Sequence, residues 1–436
     1  MKRSFILRWC QLSALVALVA GGPRLGFAAQ PRASASTNAL TLDEALRLAL
    51  ANNPELRASG GRVEAAAGRA DQARRWTNPE LELASEDVPV RSGSFRDSKN
   101  TIGVAQTVPW PGKKKLDGQI GTAGVRLSEA DLSLRRVELV RDVKTAFYRV
   151  LAAERLVAVA GELVQFAESS ASTARKRVEA GAAADQEQLR AEIQLDQART
   201  ELAAFQRELV SARQELVTLL GRPDLSDAPV SGALVETPDT ARLGHGPAQW
   251  LANHPSVVAA RSVRDRTELE LRRARLEPYP DVRLGVDGGR EGREDNAIVQ
   301  FRVSLPLPIV DRSKGRKREA QANMGVAEAE LVATEQRLLR EWGTVSQRFR
   351  TAAEQVAAYR ERILPRASKA LHLVQTGFEE GKFGFIDLLD TQRTTAEARL
   401  AYQQKLLELN TAQAELEALL GATPVPGQPP ISTEPK

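Results

Sequence analysis

Residues 377–421, GFEEGKFGFIDLLDTQRTTAEARLAYQQKLLELNTAQAELEALLG, read as a tight turn followed by a long helix. Gly381 and Gly384 punctuate the turn, and Asp387 stands where a carboxylate can cap free backbone N–H groups. Apolar residues then recur at Ala398, Tyr402, Leu409, Ala412, Leu416 and Leu419, intervals of three, four or seven that make one helical seam. The same object occurs 200 residues earlier. Gly181 and Gly221 answer Gly381 and Gly421, and Ala198, Leu202, Leu209, Ala212, Leu216 and Leu219 occupy the equivalent seam.

The register holds upstream. Pro54 pairs with Pro255 and Pro79 with Pro280 at an offset of 201, and the Val108-Pro109-Trp110-Pro111 corner answers Leu305-Pro306-Leu307-Pro308 at 197. The chain therefore reads as two tandem copies of one unit. The first spans 30–221, with a hairpin over about 79–109 and long helices over about 116–221. The second spans 251–421, with a hairpin over about 280–308 and long helices over about 312–421. Residues 222–250, rich in Pro, Asp and Gly, link them as a small collar, and 422–436 form a Pro-rich extended tail.

The first copy opens with capped helices. Thr41-Leu42-Asp43-Glu44 is a capping box, and Asn53-Pro54 restarts a helix that runs to about Trp76. From Pro79 the period changes to two: Leu81 and Leu83 alternate with Glu80 and Glu82, then Ile102, Val104 and Val108 with polar or small residues, after a polar loop near 91–99. In the second copy Val282, Leu284 and Val286, then Val299, Phe301, Val303 and Leu305, do the same. A strand of about ten residues suits a tilted bilayer crossing. Four strands cannot close a barrel, which needs about eight, so other subunits must complete the oily face. The bland alternative is a pair of half-buried hairpins on a water-soluble domain.

The helices are unusually long. No proline falls between Pro111 and Pro223, and Val143, Val150, Val157 and Val164 recur every seven with Ala146, Ala153, Ala160 and Ala167 between them. Such a repeat imposes supercoiling, and the alanines allow close approach. A helix from about Leu116 to Ala180 is roughly 100 Å long at about 1.5 Å per residue. An antiparallel coiled-coil scaffold is the competing reading for this part alone.

Residues 1–29 read as a secretory signal: Lys2, Arg3 and Arg8, an apolar run from Leu12 to Ala20, and a small-residue region at Phe27-Ala28-Ala29. Without them the chain holds 57 basic against 56 acidic residues, so its basic balance does not indicate nucleic acid. Cys10, the sole cysteine, lies in the leader without the small-residue box of a lipid anchor. No later stretch is long and apolar enough for a transmembrane helix, leaving a closed barrel as the spanning option. His245, His254 and His372 are not at metal-ligand spacing, and the glycines from Gly285 to Gly292 read as a hairpin loop. Neither enzyme, cofactor nor metal site is expected.

The repeat, the IDLLDTQ turn, the paired NPELEL and YPDVRL segments and the QTVPWPGKKK corner together resemble the TolC-like outer membrane efflux proteins, over nearly everything after the leader. The corner is most similar to the branch serving heavy-metal pumps. The resemblance implies a mostly helical fold with a small β part: a homotrimer with a 12-stranded outer membrane barrel and a periplasmic α-helical tunnel. It implies a passive efflux channel of a Gram-negative outer membrane, fed by an inner membrane RND-type pump through a periplasmic adaptor. A type I secretion duct shares that architecture, and a non-channel periplasmic coiled-coil scaffold is the alternative of another class.

It also implies roles for residues. Asp387 and Asp390 match acids that narrow the inner tunnel end, against the plain reading of helix capping; the aligned first-copy residues are Glu187 and Arg190. The turns at Gly181 and Gly381 meet the adaptor. Phe383 stands where well-known relatives have a basic latch residue, with Lys382 beside it. Leu81, Leu83, Val282, Leu284, Val299, Phe301 and Val303 face lipid. Lys113, Lys114 and Lys115 after one strand exit, and Arg312, Lys314, Arg316, Lys317 and Arg318 after the other, read either as solvated helix starts or, with Trp110 beneath a barrel, as a grip on outer membrane lipid headgroups.

Overall fold

The computed structural model describes residues 39–88, 98–238, 246–291 and 296–421, which fall in one compact unit. The expected leader, the tail, His245 and most of the loop near 91–99 lie outside the described residues. Two helices, α1 (Leu42–Asn52) and α2 (Pro54–Arg74), lead into β1 (Glu80–Glu86), β2 (Lys99–Val108), α3 (Lys113–Glu179) and α4 (Asp185–Leu220). The second half runs through the short α5 (Pro247–Trp250), α6 (Pro255–Arg275), β3 (Val282–Glu291), β4 (Asn296–Ser304), α7 (Lys314–Ala358), α8 (Leu364–Glu379) and α9 (Phe385–Leu419). Among the described residues no helix is long and apolar enough to cross a membrane, which says nothing of strands.

The caps form as their sequences dictate. Thr41 Oγ1 accepts the Glu44 N–H at 3.3 Å, and Asn53 Oδ1 accepts those of Glu55 and Leu56 at 3.0 Å. Asn53 also donates to the Leu219 carbonyl at 3.0 Å, tying the start of α2 to the end of α4. His254 caps α6 with Nδ1 accepting the Ser256 N–H at 3.2 Å, and burial holds its pKa below the ordinary histidine value.

The two hairpins are not separate. They pair through β2 and β3, with Val104 opposite Val286 and Gly103 opposite Asp287, into one antiparallel sheet of order β1-β2-β3-β4. Gly285, Gly288 and Gly289 lie inside β3, which corrects their reading as a loop. They permit close backbone approach: a Cβ on Gly289 would stand 2.0 Å from the Asn100 carbonyl oxygen. Strand direction alternates across the sheet, so all four helix-strand junctions, near residues 75–79, 109–112, 276–281 and 305–313, lie at one end of it.

α3, of 67 residues, is the central strut and packs against α1, α2, α4, α6 and α9. Its seam is buried at Val143, Ala146, Val150, Ala153 and Ala160, while Val157, Val164 and Ala167 are only half-buried. One apolar cluster gathers Phe147, Leu216 and Leu220 with α1, and a second gathers Phe349, Val356 and Leu409 with Trp250. Between them Lys144 of α3 pairs with Glu417 of α9 at 2.6 Å, both nearly buried. The connector joins in as well. Leu40 bridges Val230 in parallel, and buried Asn410 of α9 accepts the Val235 N–H at 2.9 Å and donates to the Val235 carbonyl at 3.1 Å.

Candidate functional site

Both helical turns close by the same mechanism. Gly181 and Gly381 adopt φ of +68° and +74°, a left-handed conformation glycine takes without strain. The N–H after each reaches back, Ala182 to the Arg177 carbonyl at 2.8 Å and Lys382 to that of Gly377 at 2.7 Å. The Phe383 ring covers Gly377 so closely that a Cβ there would meet it at 2.3 Å. Thus Phe383, read from the sequence as a departure from the relatives' basic residue, folds its ring onto its own turn.

Asp387 and Asp390 are both exposed on α9, while Phe385, Leu388 and Leu389 on the other side are buried. Asp387 Oδ2 accepts the Gly384 N–H at 3.0 Å, so capping and exposure coexist in one side chain.

Sequence reasoning missed what joins the two turns. Phe385 packs with Ala171, Ala174, Ala191 and Leu389, drawing α3, α4 and α9 together near their ends. Its ring lies 5.8 Å from that of Phe378, over which the Arg177 guanidinium sits at 5.5 Å. Three phenylalanines in GFEEGKFGF were the available signal.

At the sheet, the period-two pattern corresponds to one apolar face. Leu81, Leu83, Ile102, Val104, Leu284, Val286, Val299, Phe301 and Val303 are all exposed, with Phe301 at 80%, and the registers put them on one face; Val282 shares that face and is half-buried. The opposite face is charged. Arg302 pairs with Asp287 at 2.5 Å and Glu82 at 3.2 Å, and Arg283 pairs with Glu80 at 2.6 Å and also with Glu82. Asp287 is buried because Gly103 leaves no Cβ above it.

At the junctions the three lysines part company. Lys113 is corrected from an exposed headgroup contact to a buried one: its Nζ lies 2.9 Å from Asp281 Oδ1, which also accepts the Trp110 N–H at 2.8 Å. Burial pushes the Asp281 carboxyl up, but the Lys113 ammonium and the Trp110 N–H outweigh it and hold the pKa below the usual aspartate value. Lys114 is half-buried and Lys115 exposed. Trp110 stacks on Tyr279, ring centres 5.2 Å apart. The first turns of α3 and α7 contain no acid, so their cations stand against the positive helix ends. Among the described residues no group of three His, Cys, Asp or Glu side chains could hold a metal ion.

The sequence pattern of the family described as outer membrane efflux protein matches residues 45–222 and again 246–422. The cobalt-zinc-cadmium resistance protein CzcC of Cupriavidus metallidurans is 30% identical over 387 residues, covering 88% of this chain and 90% of that protein. Protein CyaE of Bordetella pertussis is 24% identical, covering 90% and 86%. A membrane protein from Pseudomonas aeruginosa, solved by crystallography, shares the fold at a TM-score of 0.76 and 23% identity, covering 87% of this chain and 93% of that one.

Proposed function

The chain belongs to the outer membrane efflux protein family, and from that premise we propose that it is the duct through which a tripartite pump exports heavy-metal cations. It is an outer membrane efflux channel reaching into the periplasm, and not an enzyme. The metal cargo is supported by the 30% identity to the cobalt-zinc-cadmium resistance protein CzcC.

The observation that carries the duct reading is the sheet. Its apolar face is bare, its opposite face is charged, and β1 and β4 are edge strands among the described residues. An open apolar sheet with two free edges is a liability unless pairing and lipid satisfy it. Three copies joined edge to edge give a closed barrel of twelve strands with lipid outside and charge inside. The long helices beneath it, about 100 Å for α3, then form the wall of a tunnel. The exposed acids Asp387 and Asp390 ring its inner end, and the Gly181 and Gly381 turns present themselves to a periplasmic adaptor, which couples the duct to an RND-type pump.

The test has two arms. Membrane fractionation and unheated gel migration should give a heat-sensitive trimer in the outer membrane; a monomer released with the periplasm overturns the duct. In planar bilayers, Asp387→Asn with Asp390→Asn should raise conductance and weaken block by divalent cations, since Asn still accepts the Gly384 N–H but carries no charge. Cells lacking the protein should become sensitive to cobalt, zinc or cadmium; unchanged tolerance removes the metal assignment and leaves the channel.

A further inference from the structure

The apolar series of β4 does not stop where the strand stops. Val299, Phe301 and Val303 are followed at the same spacing by Leu305, Leu307 and Ile309, although Pro306 and Pro308 cannot donate to a ladder and β4 ends at Ser304. All three are exposed, Ile309 at 70%, and Val310 beside them is 99% exposed. A bare valine next to a bare isoleucine is costly in water, by the ordinary hydrophobic argument.

Cations follow at once. Arg312, Lys314, Arg316, Lys317 and Arg318 are five in seven residues with no acid among them, and all are exposed. Arg316 pairs with Glu277 at 3.2 Å; Arg312, Lys314, Lys317 and Arg318 have no ion pair among the described residues. Strand alternation brings the other junctions to the same end of the sheet, adding exposed Trp76, Trp110 and Tyr279 and the exposed Lys115.

We infer that this end of the sheet, centred on Leu305 to Arg318, is a binding surface for anionic phospholipid headgroups in the periplasmic leaflet of the outer membrane. The inference rests on the barrel reading above. The order along the chain matches the order of depth: acyl chains against Leu307, Ile309 and Val310, aromatic rings at the interface, phosphodiesters against Arg312, Lys314, Lys317 and Arg318. Continuity with the lipid-facing band sets the occupant. A soluble polyanion would satisfy the cations but leave the apolar segment bare. The site also differs from the sequence expectation, because Lys113 is spent on Asp281 and the weight moves to the second half of the chain.

Tryptophan quenching reads this directly. The full protein is reconstituted into phosphatidylcholine vesicles containing a minor fraction of brominated phosphatidylglycerol or brominated phosphatidylcholine. Trp76 and Trp110 are exposed near the junctions, whereas buried Trp250 and half-buried Trp342, both packed in the second apolar cluster, supply the unquenched background. The anionic lipid should associate about five-fold more strongly, the effect of about one cation per headgroup. The preference should vanish in the Arg312→Gln, Lys314→Gln, Lys317→Gln, Arg318→Gln variant, and in the unaltered protein at about 0.5 M salt. The salt titration decides the matter if the variant fails to fold. Equal quenching by both lipids, or a preference that survives neutralisation, overturns the inference. So does charge-dependent capture of an acidic peptide without any lipid preference, which gives the cations to a protein partner. If the protein enters vesicles and conducts without preference, this inference alone falls. If it enters vesicles of neither composition, the duct reading falls first.

Discussion

Replacing Glu417 by Gln should destabilise the protein more than any surface ion-pair change. Glu417 Oε2 lies 2.6 Å from Lys144 Nζ, with side chains 11% and 10% exposed, and Gln413 Nε2 donates to its other oxygen at 3.1 Å. Glu417→Gln leaves a buried ammonium without its counter-charge, a loss of about 3–5 kcal/mol. Unfolding entropy of about 2.1 cal/mol/K per residue, over 436 residues, is roughly 0.9 kcal/mol/K, so a loss of about 4 kcal/mol lowers Tm by about 4 °C. Circular dichroism at 222 nm in detergent, at fixed scan rate, measures it. The double change Lys144→Met, Glu417→Leu removes both charges and should recover most of the loss, because the pair itself is worth far less than a broken pair costs. Tyr148 supplies a second readout. Burial, and then the Glu417 charge, push its phenol up to about 12, so Glu417→Gln should lower that value. A single variant within about 1 °C of the parent, or a double variant no better than the single, would refute the reasoning.

Three further outcomes follow from the geometry. Gly103→Ala puts a Cβ 2.6 Å from the Val286 carbonyl oxygen and 2.0 Å from Asp287 Oδ1, so heat-sensitive oligomer should be lost from the outer membrane, whereas Gly285→Ala, whose nearest neighbour is 3.5 Å away, should be tolerated. Asn410→Ala orphans the Val235 N–H and carbonyl at a cost of about 2 kcal/mol, and limited proteolysis should then cut near residue 235. The His254 pKa is lowered by folding, so its contribution is complete above about pH 6.5 and is lost as pH falls through that value towards the folded pKa; His254→Asn, which keeps a cap acceptor, should flatten the stability profile below about pH 6.5.

What the sequence disclosed depended on the range over which its signals act. Caps at Thr41 and Asn53, the strands from period two and the helices from their seams are local patterns, and elements of each kind are present at those places, with β3 running on through the glycines to Glu291. The repeat extended that range because a 200-residue offset is itself a pattern. Pairwise partners were not legible. Lys113 looks like its neighbours until Asp281, 168 residues away, closes over it, and nothing in either hairpin announces that β2 will pair with β3. The glycines of β3 misled because a loop and a close backbone approach demand the same residue; only the Asn100 carbonyl distinguishes them. Asp387 was legible as a cap, and its carboxylate accepts the Gly384 N–H.

The repeat also hides an asymmetry that bears on function. Offset by 200, Pro365 corresponds to Gln165, inside α3. Proline removes one helical N–H and crowds the carbonyl four residues back, here Glu361. The first half therefore runs unbroken for 67 residues, while the second is interrupted by the π turn Tyr359–Ile363 just before Pro365. That turn sits near Tyr402, whose hydroxyl is pushed up to about 12 by burial and by its hydrogen-bonded neighbour Glu236 in the connector. Asp387 and Asp390 belong to the same interrupted half, whereas the unbroken half carries Glu187 and Arg190 at the matching positions. One sequence unit used twice has thus produced an α-helix without a break and a helix with a π turn ahead of its proline, and the exposed acids lie on the helix that follows it.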